Sequence, residues 1–413
     1  NTRNRQRDSA SLSPWQETAG YDAAKGDNSS ENSNKVYDCL IIGAGITGIT
    51  TALLLQRSGL NCLVAEAGQA GFGTTGGTTA HLNTFFDATY PDVENDFGLE
   101  AAQLLARGGN ESLDQISSFV AELNIDCDLE FKQAWLYAEN EKESRHLAQI
   151  LDASERAGLS VTPADQNGVP VPFDSAVKFE RQGQFHPLKY TLGLLTEYLR
   201  LGGELAEYTR IRQSSFADGI YTAKSDECSI RAKRLVYATH IPPGVNLMSF
   251  RNAPYRSYVL ALKLQDSDYP EGLSYDMQEP YHYFRSHRIK GQKYLIVGGE
   301  DHKTGESENT NGCFLHLESH IRSNFSVREI THQWSSQYFE PVDGLPYTGH
   351  LPGNAKNIYV ATGFGGNGIT YSQVAAIVLK GMIMRQPTPY DDLFSPGRIK
   401  PVAGFADFVS HNA

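Results

Sequence analysis

The sequence predicts a chain of mixed α/β and α+β class, in which a Rossmann-like dinucleotide-binding domain is interrupted by a second domain with a mixed or antiparallel sheet. Two glycine-rich turns predict the first domain, because each joins a short apolar strand to a helix; one spans residues 43–48 and the other 362–370. From Tyr255 the apolar residues recur at every second position, which predicts the strands of the second domain.

A complete strand–turn–helix–strand unit lies between Val36 and Glu66. Cys39 to Ile42 form a short apolar strand, and the Gly-Ala-Gly-Ile-Thr-Gly turn follows it directly. In this pattern the glycines allow a tight turn, close approach to a pyrophosphate and close helix packing, while the final acid accepts hydrogen bonds from a ribose. An ordinary glycine turn is the alternative interpretation. The residues expected to hold the dinucleotide are Gly43, Ala44, Gly45, Ile46, Thr47, Gly48, Glu66 and Ala67.

A Gly/Thr-rich segment follows this acid, with consecutive small residues from Gly73 to Thr79. Such residues cannot build a core, but they leave backbone N–H groups and hydroxyls close to a ligand. A flexible surface loop is the alternative. The position after the ribose-binding acid favours ligand binding, for which the expected contacts are Thr74, Thr75, Gly77, Thr78, Thr79 and Ala80.

Length and composition exclude several classes of protein. The 413 residues suffice for two or three domains, and the net charge of -12 argues against a nucleic-acid partner. Five scattered cysteines without C-x-x-C spacing are typical of free thiols in a reducing compartment. No apolar run approaches the roughly 20 residues that span a bilayer, and no signal-peptide core precedes Val36. We therefore expect a cytoplasmic protein without a membrane span.

Hydrophobic periodicity predicts the remaining elements. The predicted helices cover Phe97–Leu123, Glu139–Ala157, Tyr190–Leu201, Cys313–Asn324 and Tyr371–Met384. The predicted strands cover Leu129–Ala138, Glu204–Ile211, Arg234–Thr239, Ile358–Ala361 and a hairpin of Tyr281–Arg285 with Lys293–Val297. His316 and His320 have the i, i+4 spacing of metal ligands, but no third ligand at a recognisable spacing accompanies them, so we predict no metal.

Further motifs, spread over almost the whole chain, are similar to those of one group of flavoproteins. They are GTTGGTTAHL at 73–82, HPLKY at 186–190, YATHIPP at 237–243, RSYVLAL at 256–262, LIVGGEDHKTG at 295–305, WSSQYFEPVDGLPYTG at 334–349 and DLFSPGRIKP at 392–401. With them the chain resembles the D-amino-acid-oxidase-like superfamily of FAD-dependent oxidoreductases from about Trp15 to Pro401. It is most similar to a branch that often carries a C-terminal Rieske iron–sulfur domain, although none of the five cysteines begins the C-x-H pair of such a domain.

The resemblance implies FAD as the cofactor. Glu66 would hold the adenosine ribose, Ile211 would meet the adenine, and the amides from Gly365 to Thr370 would face the N1/C2 carbonyl edge of the flavin. Preoriented amides at that edge stabilise the negative charge that hydride transfer to flavin N5 creates. The further residues that the resemblance assigns to the cofactor are Ala238, Thr239, Gly344, Gly363, Phe364, Gly365, Gly366, Asn367, Gly368, Ile369 and Thr370.

The chain departs from better-known members of the superfamily in three ways. Where amino-acid oxidases place a carboxylate-binding Arg, it has Tyr338, and where sarcosine-oxidase-like members have an oxygen-activating Lys, it has Thr370. The segment from Trp334 to Gly349 also lacks the Cys that tethers their flavin. We therefore expect non-covalent FAD and a dehydrogenase more than an oxidase, with an electron acceptor that the sequence does not identify.

The motifs predict how the domains are divided along the chain. Residues 1–35 form a flexible lead-in that Trp15 ties to the body, and residues 391–413 form a C-terminal tail. The FAD-binding domain comprises residues 36–82, 189–247 and 334–390, and the substrate domain comprises residues 83–188 and 248–333.

Three functions are compatible with these motifs. They are an FAD-dependent oxidoreductase that removes a hydride from a small amine or amino acid, an electron-transfer or redox-sensing flavoprotein with a separate iron–sulfur partner, and a flavoprotein with an inactive site. The number of candidate pocket side chains favours the first. Arg285 is the best candidate for binding an acidic group of the substrate, with Glu300 or Asp301 as an alternative, structural partner. The candidate catalytic or substrate-binding residues are Arg285, Tyr283, Tyr258, His81, Gln337 and Asn367.

Overall fold

The computed structural model describes residues 11–18, 35–244, 246–306, 309–353 and 357–398. Most of the predicted lead-in and the end of the predicted tail lie outside these residues. Trp15 lies within them; its side chain is fully buried, and Nε1 donates a hydrogen bond to the carbonyl of Thr78 (2.8 Å). The prediction that Trp15 ties the N-terminal segment to the body is therefore confirmed. In the described part of the chain, no helix has the length and apolarity needed to cross a membrane.

Helices and strands are distributed along the whole described chain. The helices are α1 Pro14–Thr18, α2 Ile46–Arg57, α3 Thr74–Gly77, α4 Tyr90–Phe97, α5 Leu99–Glu122, α6 Glu141–Arg156, α7 Pro187–Arg200, α8 Leu247–Arg251, α9 Thr310–Asn324 and α10 Gly368–Met384. The strands are β1 Val36–Tyr37, β2 Cys39–Ile42, β3 Cys62–Ala65, β4 His81–Leu82, β5 Glu130–Ala138, β6 Val161–Ala164, β7 Ser175–Gln184, β8 Glu204–Ala206, β9 Gln213–Ala217, β10 Ile220–Lys224, β11 Ser229–Ala232, β12 Leu235–Tyr237, β13 Asn252–Leu264, β14 Leu273–Asp276, β15 Tyr283–Ile289, β16 Gln292–Lys303, β17 Val327–Pro341, β18 Tyr347–His350 and β19 Ile358–Thr362.

A six-stranded sheet in the order β18-β19-β12-β2-β3-β8 carries both glycine-rich turns. Its neighbouring strands pair in parallel, except that β18 is antiparallel to β19. β2, β3, β12 and β19 are buried along their whole length, as expected for parallel strands covered on both faces. The two helices that follow the turns, α2 and α10, pack against each other. Both turns therefore lie at the edge where the carboxyl ends of the strands meet.

The predicted strand from Glu204 to Ile211 ends at Ala206 instead. Tyr208 then adopts a positive φ of 55°, which breaks the extended conformation. The N–H of Thr209 donates to the carbonyl of Glu66 (2.7 Å), so the chain turns across the end of β3. After this turn Ile211 lines the same cavity as Glu66.

A mixed sheet forms the second large unit, with the strand order β17-β13-β16-β15-β14-β5-β7-β4 and β6 paired to β7. β14 and β5 are parallel, and β13, β15, β16 and β17 pair antiparallel. The predicted hairpin is present as β15 and β16. Lys290 and Gly291 join these strands with φ of 48° and 81°, the positive values that a tight hairpin turn requires. The sheet confirms the predicted fold class, and the division into domains remains a prediction.

Candidate active site

Two adjoining cavities form one cleft at the edge where the glycine-rich turns meet. The first has a volume of about 640 Å³ and is lined by Glu66 and Ile211 among others; we call it the Glu66 compartment. The second has a volume of about 510 Å³ and is lined by His81 and Tyr283 among others; we call it the His81 compartment. Both include Gly45 of the first turn and parts of the Gly/Thr-rich segment, so one elongated ligand can occupy the two compartments together.

Glu66 directly follows β3 and lines the Glu66 compartment. Its carboxylate accepts hydrogen bonds from the backbone N–H groups of Ala44 (2.8 Å) and Gly68 (2.8 Å), which hold it beside the first turn. A carboxylate has about four acceptor sites. Two of its lone-pair sites therefore remain for hydroxyl donors such as those of a ribose.

Two glycines of the first turn are required by close contacts. A Cβ on Gly48 would lie 1.9 Å from the carbonyl oxygen of Gly43, because α2 starts tightly against the strand end. Gly43 has a φ of +106°, and a Cβ there would lie 2.4 Å from the carbonyl oxygen of Ala238. The packing role predicted for Gly48 and the turn role predicted for Gly43 are confirmed.

The Gly/Thr-rich segment is fixed by side chains that bind its carbonyl groups. Trp334 Nε1 donates to the carbonyl of Gly77 (2.7 Å), and Trp15 Nε1 donates to that of Thr78 (2.8 Å). Both indoles are buried. Thr78 and Thr79 line the His81 compartment. These contacts fix the segment as one wall of the cleft. The alternative interpretation, a flexible surface loop, is therefore wrong.

Arg285 does not line the cleft, so its predicted role in substrate binding is wrong. Its side chain is fully buried, and Nη1 donates to the carbonyls of Thr79 (2.6 Å) and Ala80 (2.8 Å). Nη2 lies 2.6 Å from His287 Nδ1, and the guanidinium lies over the Trp15 ring at 5.4 Å. The Arg285 cation is thus stabilised by backbone carbonyl dipoles. The sequence had suggested Glu300 or Asp301 as its structural partner instead. Arg285 positions the wall of the cleft from behind.

His81 lines the His81 compartment, where the sequence places it. Its Nδ1 lies 2.9 Å from Thr79 Oγ1, and its ring contacts the rings of Tyr275 and Tyr283 at centroid distances of 5.3 and 5.5 Å. Burial, helped by the nearby Arg285 cation, holds the pKa of His81 well below its ordinary value. The imidazole is therefore neutral near pH 7 and adds no positive charge to the compartment.

One of the two tyrosines predicted for the cavity lines it, and the other does not. Tyr283 lines the His81 compartment, and its hydroxyl hydrogen-bonds to Ser257 Oγ (2.8 Å). Tyr258 is buried on the opposite face of β13, where its hydroxyl lies 3.0 Å from His302 Nε2. Side chains alternate between the faces of a strand, and Ser257 and Val259 are the ones that face the cavity. The side chains on either side of Tyr258 face the cavity, so the prediction that Tyr258 itself lines it is wrong.

Two further candidates have different surroundings from those expected. Gln337 lines the Glu66 compartment, apart from the other catalytic candidates, and its Nε2 donates to Thr304 Oγ1 (3.2 Å). Asn367 lines the His81 compartment, and its Oδ1 accepts the N–H of Asp87 (3.0 Å). The N–H of Gly366 donates to Asp87 Oδ2 (2.6 Å). One amide of the group predicted to face the flavin is therefore already bound by a carboxylate.

Most of the residues predicted to hold the cofactor line the cleft. The Glu66 compartment includes Gly43, Gly45, Glu66, Ala67, Thr74, Thr75, Gly77, Ile211, Ala238 and Thr239. The His81 compartment includes Ile46, Thr47, Thr78, Thr79, Gly363, Phe364, Gly365, Gly366, Asn367, Gly368 and Ile369.

Five of the predicted cofactor residues do not line the cleft. Ala44 donates its N–H to the Glu66 carboxylate, and Gly48 packs against the first turn. Ala80 is buried and its carbonyl accepts a hydrogen bond from the guanidinium of Arg285, while Thr370 donates its hydroxyl to the carbonyl of Asn83. Gly344 has a positive φ of 83° in a turn.

Sequence reasoning missed the acidic side of the His81 compartment. Asp87, Asp301, Tyr281 and Tyr338 all line it, and they come from distant parts of the chain. The hydroxyl of Tyr338 donates to Asp301 Oδ2 (2.9 Å). Burial raises the pKa of Asp301 to about 7 and also raises the pKa of Asp87. The available signal was the departure at Tyr338, where the resemblance implies an Arg.

One cluster, which shares Asp276 with the lining of the His81 compartment, resembles a metal site in composition. Asp276, His282 and His320 bring potential ligand atoms within 4.8 Å of one another. However, His282 Nδ1 is hydrogen-bonded to Asp276 Oδ2 (2.8 Å), and the rings of His282 and His320 stack in parallel, 4.0 Å apart with an angle of 6°. Imidazole nitrogens bind an ion in the plane of the ring, so two stacked rings do not point at a common ion. We assign no metal to this cluster.

Known proteins are similar to this chain in sequence and in fold. The family model described as FAD dependent oxidoreductase (DAO) matches residues 38–380. The Bacillus subtilis protein YhfW, which carries the name of a Rieske 2Fe-2S iron–sulfur protein, is 31% identical over 378 residues, covering 91% of this chain and 74% of its own. Gamma-glutamylputrescine oxidoreductase of Escherichia coli is 22% identical over 378 residues, covering 87% and 86%. Glycine oxidase from Geobacillus kaustophilus has a TM-score of 0.73 at 18% identity, covering 88% and 99%.

The two-compartment cleft, the fold and these matches define an FAD-dependent oxidoreductase. The chain belongs to the DAO family. Its residues fit the cofactor, because Glu66 retains acceptor sites beside the start of α2 and the glycine-rich turn before α10 lines the other compartment. Glu66 and the first turn would hold the adenosine diphosphate part, and the second turn would border the flavin.

Proposed function

We propose that the chain dehydrogenates a small amine or amino acid in the His81 compartment, as a dehydrogenase more than as an oxidase. The carrying observation is that His81, Asp87, Asp301 and Tyr283 line one cavity of about 510 Å³ together with the glycine-rich turn at 363–369. Convergent polar groups in a cavity of this size are typical of a small-molecule site. The similar proteins named for amine and amino-acid substrates support a CH–NH donor.

The residues of the compartment would orient the donor and manage its protons. FAD, when bound, supplies the acceptor of two electrons. Conversion of an amine to an imine breaks one C–H bond, whose electron pair leaves with the hydrogen as hydride, and one N–H bond, whose proton is released. Burial raises the pKa of Asp301 to about 7, which suits this carboxyl to take up that proton, whereas the lowered pKa of His81 leaves its imidazole neutral as a hydrogen-bonding group. Positioning of the donor supplies most of the rate.

The proposed preference for a dehydrogenase rests on charge. Among the described residues that line the His81 compartment there is no Lys or Arg, so no lining cation stabilises superoxide. A separate electron acceptor would then reoxidise the enzyme. The unpaired cysteines support a reducing compartment such as the cytoplasm.

Anaerobic bleaching of the bound flavin tests the proposal. The panel should contain amines, amino acids and the corresponding hydroxy acids. We expect loss of the visible flavin absorbance with amines or amino acids and no change with hydroxy acids. Bleaching by hydroxy acids alone would assign a CH–OH donor instead. If no donor bleaches the FAD-loaded protein, the electron-transfer alternative with a separate iron–sulfur partner replaces the proposal.

A further inference from the structure

We propose that the His81 compartment selects an amine that is bound as an ammonium cation and carries no carboxylate beside the oxidised carbon. The inference rests on the proposed function and narrows the substrate class of the same site. It replaces the sequence-based expectation of an acidic substrate group held by Arg285, which lies behind the wall.

The charge of the compartment is unbalanced. The carboxylates that line it are Asp87, Asp276, Glu279 and Asp301, and none of its described lining residues is Lys or Arg. Asp276 is paired with His282 (2.8 Å). Asp87 and Asp301 accept hydrogen bonds from neutral donors, namely a backbone N–H and a tyrosine hydroxyl. Ionised carboxylates without a cation are costly in a buried site, and a cationic ligand lowers that cost.

Two unpartnered polar atoms independently indicate a hydrogen-bonding ligand. Asp301 Oδ1 is a buried oxygen without a hydrogen-bond partner in the described structure, and so is Ser336 Oγ. Both residues line the His81 compartment, and Ser336 is 8% exposed. Buried acceptors of this kind are normally satisfied. An ammonium group offers N–H donors and the matching charge to Asp301.

The neighbouring acids strengthen the preference for a cation. Glu340 Oε1 lies 3.3 Å from the hydroxyl of Tyr338, which also donates to Asp301. Burial and the nearby Asp87 together raise the pKa of Glu340 to about 8. These acids share a dry region in which each disfavours the ionisation of the other. A bound cation would allow both to ionise at neutral pH.

The same wall disfavours a carboxylate on the substrate. Tyr338 lines the compartment, and its hydroxyl proton is already donated to Asp301. A substrate carboxylate near this point would meet like charge without a cation to bind it. The rings of Tyr281 and Tyr283 line the compartment instead, with centroids 5.6 Å apart, and offer π faces that attract ammonium groups.

Matched pairs of compounds that differ by one carboxylate test the inference on the FAD-loaded protein. The pairs are butylamine with norvaline and pentylamine with norleucine, both enantiomers of each amino acid being used, and butane-1,4-diamine is measured alone as a dication. Dissociation constants come from anaerobic perturbation or bleaching of the flavin spectrum. We expect each amine to bind at least about tenfold more tightly than its carboxylated partner. Equal or tighter binding of the amino acids would overturn the inference, as would an absence of amine binding.

Variants of two adjacent acids on β16 locate the binding group. Asp301→Asn should weaken butane-1,4-diamine binding at least about tenfold, because it removes the charge and keeps the shape. Glu300→Gln is the matched control, since Glu300 faces His282 and His316 and does not line the compartment. An Asp301→Asn protein that binds the diamine as tightly as wild type overturns the inference. If Asp301→Asn does not fold, the same binding measurement is made on Asp87→Asn.

The two proposals fail separately in this experiment. Bleaching by the amino acids with tighter binding than the amines retains the proposed function and removes the inferred selectivity. Tight amine binding without bleaching by any donor retains the cationic site and removes the proposed dehydrogenation.

Discussion

The guanidinium of Arg285 donates to the carbonyl of Ala80 across 2.8 Å, and Ala80 has a positive φ of 60°. A left-handed conformation is unfavourable for a residue with a Cβ, so surrounding contacts must hold it. Arg285 does so from behind, and also binds the carbonyl of Thr79. Thr79 and the preceding Thr78 line the cleft. Arg285, which the sequence suggested as a substrate-binding residue, therefore has a structural role in supporting the wall of the cleft.

Replacement of Arg285 should therefore affect stability and cofactor retention. Arg285→Met leaves buried carbonyls without donors, so the free energy of unfolding should fall by about 2–5 kcal/mol. Denaturant unfolding and the FAD content after purification measure the two effects. Arg288→Met is the control, because Arg288 is exposed on the same strand. Unchanged stability together with a weakened substrate affinity would restore a substrate-binding role.

Removal of the Glu66 carboxylate should weaken the binding of FAD. Its proposed hydrogen bonds to ribose hydroxyls would involve a charged acceptor, so Glu66→Ala should cost about 1.5–3 kcal/mol of binding free energy. Titration of the apoprotein with FAD measures the dissociation constant. Glu207→Ala is a suitable control, because this acid binds the N–H of Ala70 and does not line the cleft. Equal FAD affinity in wild type and Glu66→Ala would exclude the ribose role.

The flavin should be released without a covalent bond to cysteine. None of the five cysteines lines either compartment in the described structure. Acid precipitation should leave the yellow colour in the supernatant, and the released cofactor should be FAD. A yellow pellet would show a tether through another residue, which peptide mapping of the digest would identify.

Reduced enzyme should react slowly with oxygen. No Lys or Arg lines the His81 compartment in the part of the chain that the structure describes, so superoxide lacks a stabilising cation there. The measurement is the rate at which photoreduced protein regains its visible absorbance in air-saturated buffer, compared with a flavoprotein oxidase under the same conditions. Reoxidation as fast as that oxidase would contradict this prediction.

The stability of the apoprotein should fall as the pH rises through the titration of Asp301. Burial raises the pKa of this carboxyl to about 7 from the ordinary value of 3.8, so the folded state holds a proton that the unfolded state has already lost between these values. The free energy of unfolding therefore decreases with pH across this window. Asp301→Asn should flatten the slope relative to wild type, while Glu300→Gln should not. Identical pH profiles for wild type and Asp301→Asn would refute the raised pKa.

Local sequence patterns determined the cofactor half of the site. The strand, turn, helix and acid from Cys39 to Glu66 are contiguous, so each residue's role follows from its neighbours in the chain. The second glycine-rich turn and α10 obey the same local pattern. Parallel strands place such turns at one edge of a sheet, which allows two distant segments to be predicted together.

Tertiary structure decided the substrate half. The alternation of apolar residues at every second position predicted the strands, but it does not show which face of β13 lines the cavity. Ser257 lies on that face, and Tyr258 lies on the opposite one. Likewise, a sequence cannot show whether a buried guanidinium finds a ligand or backbone carbonyls, as Arg285 does. Asp87 and Asp301 are more than two hundred residues apart, and packing of the sheets alone brings their charges into one cavity. Charge balance in a cavity is a property of that three-dimensional packing, which is why the cationic substrate class emerged only from the structure.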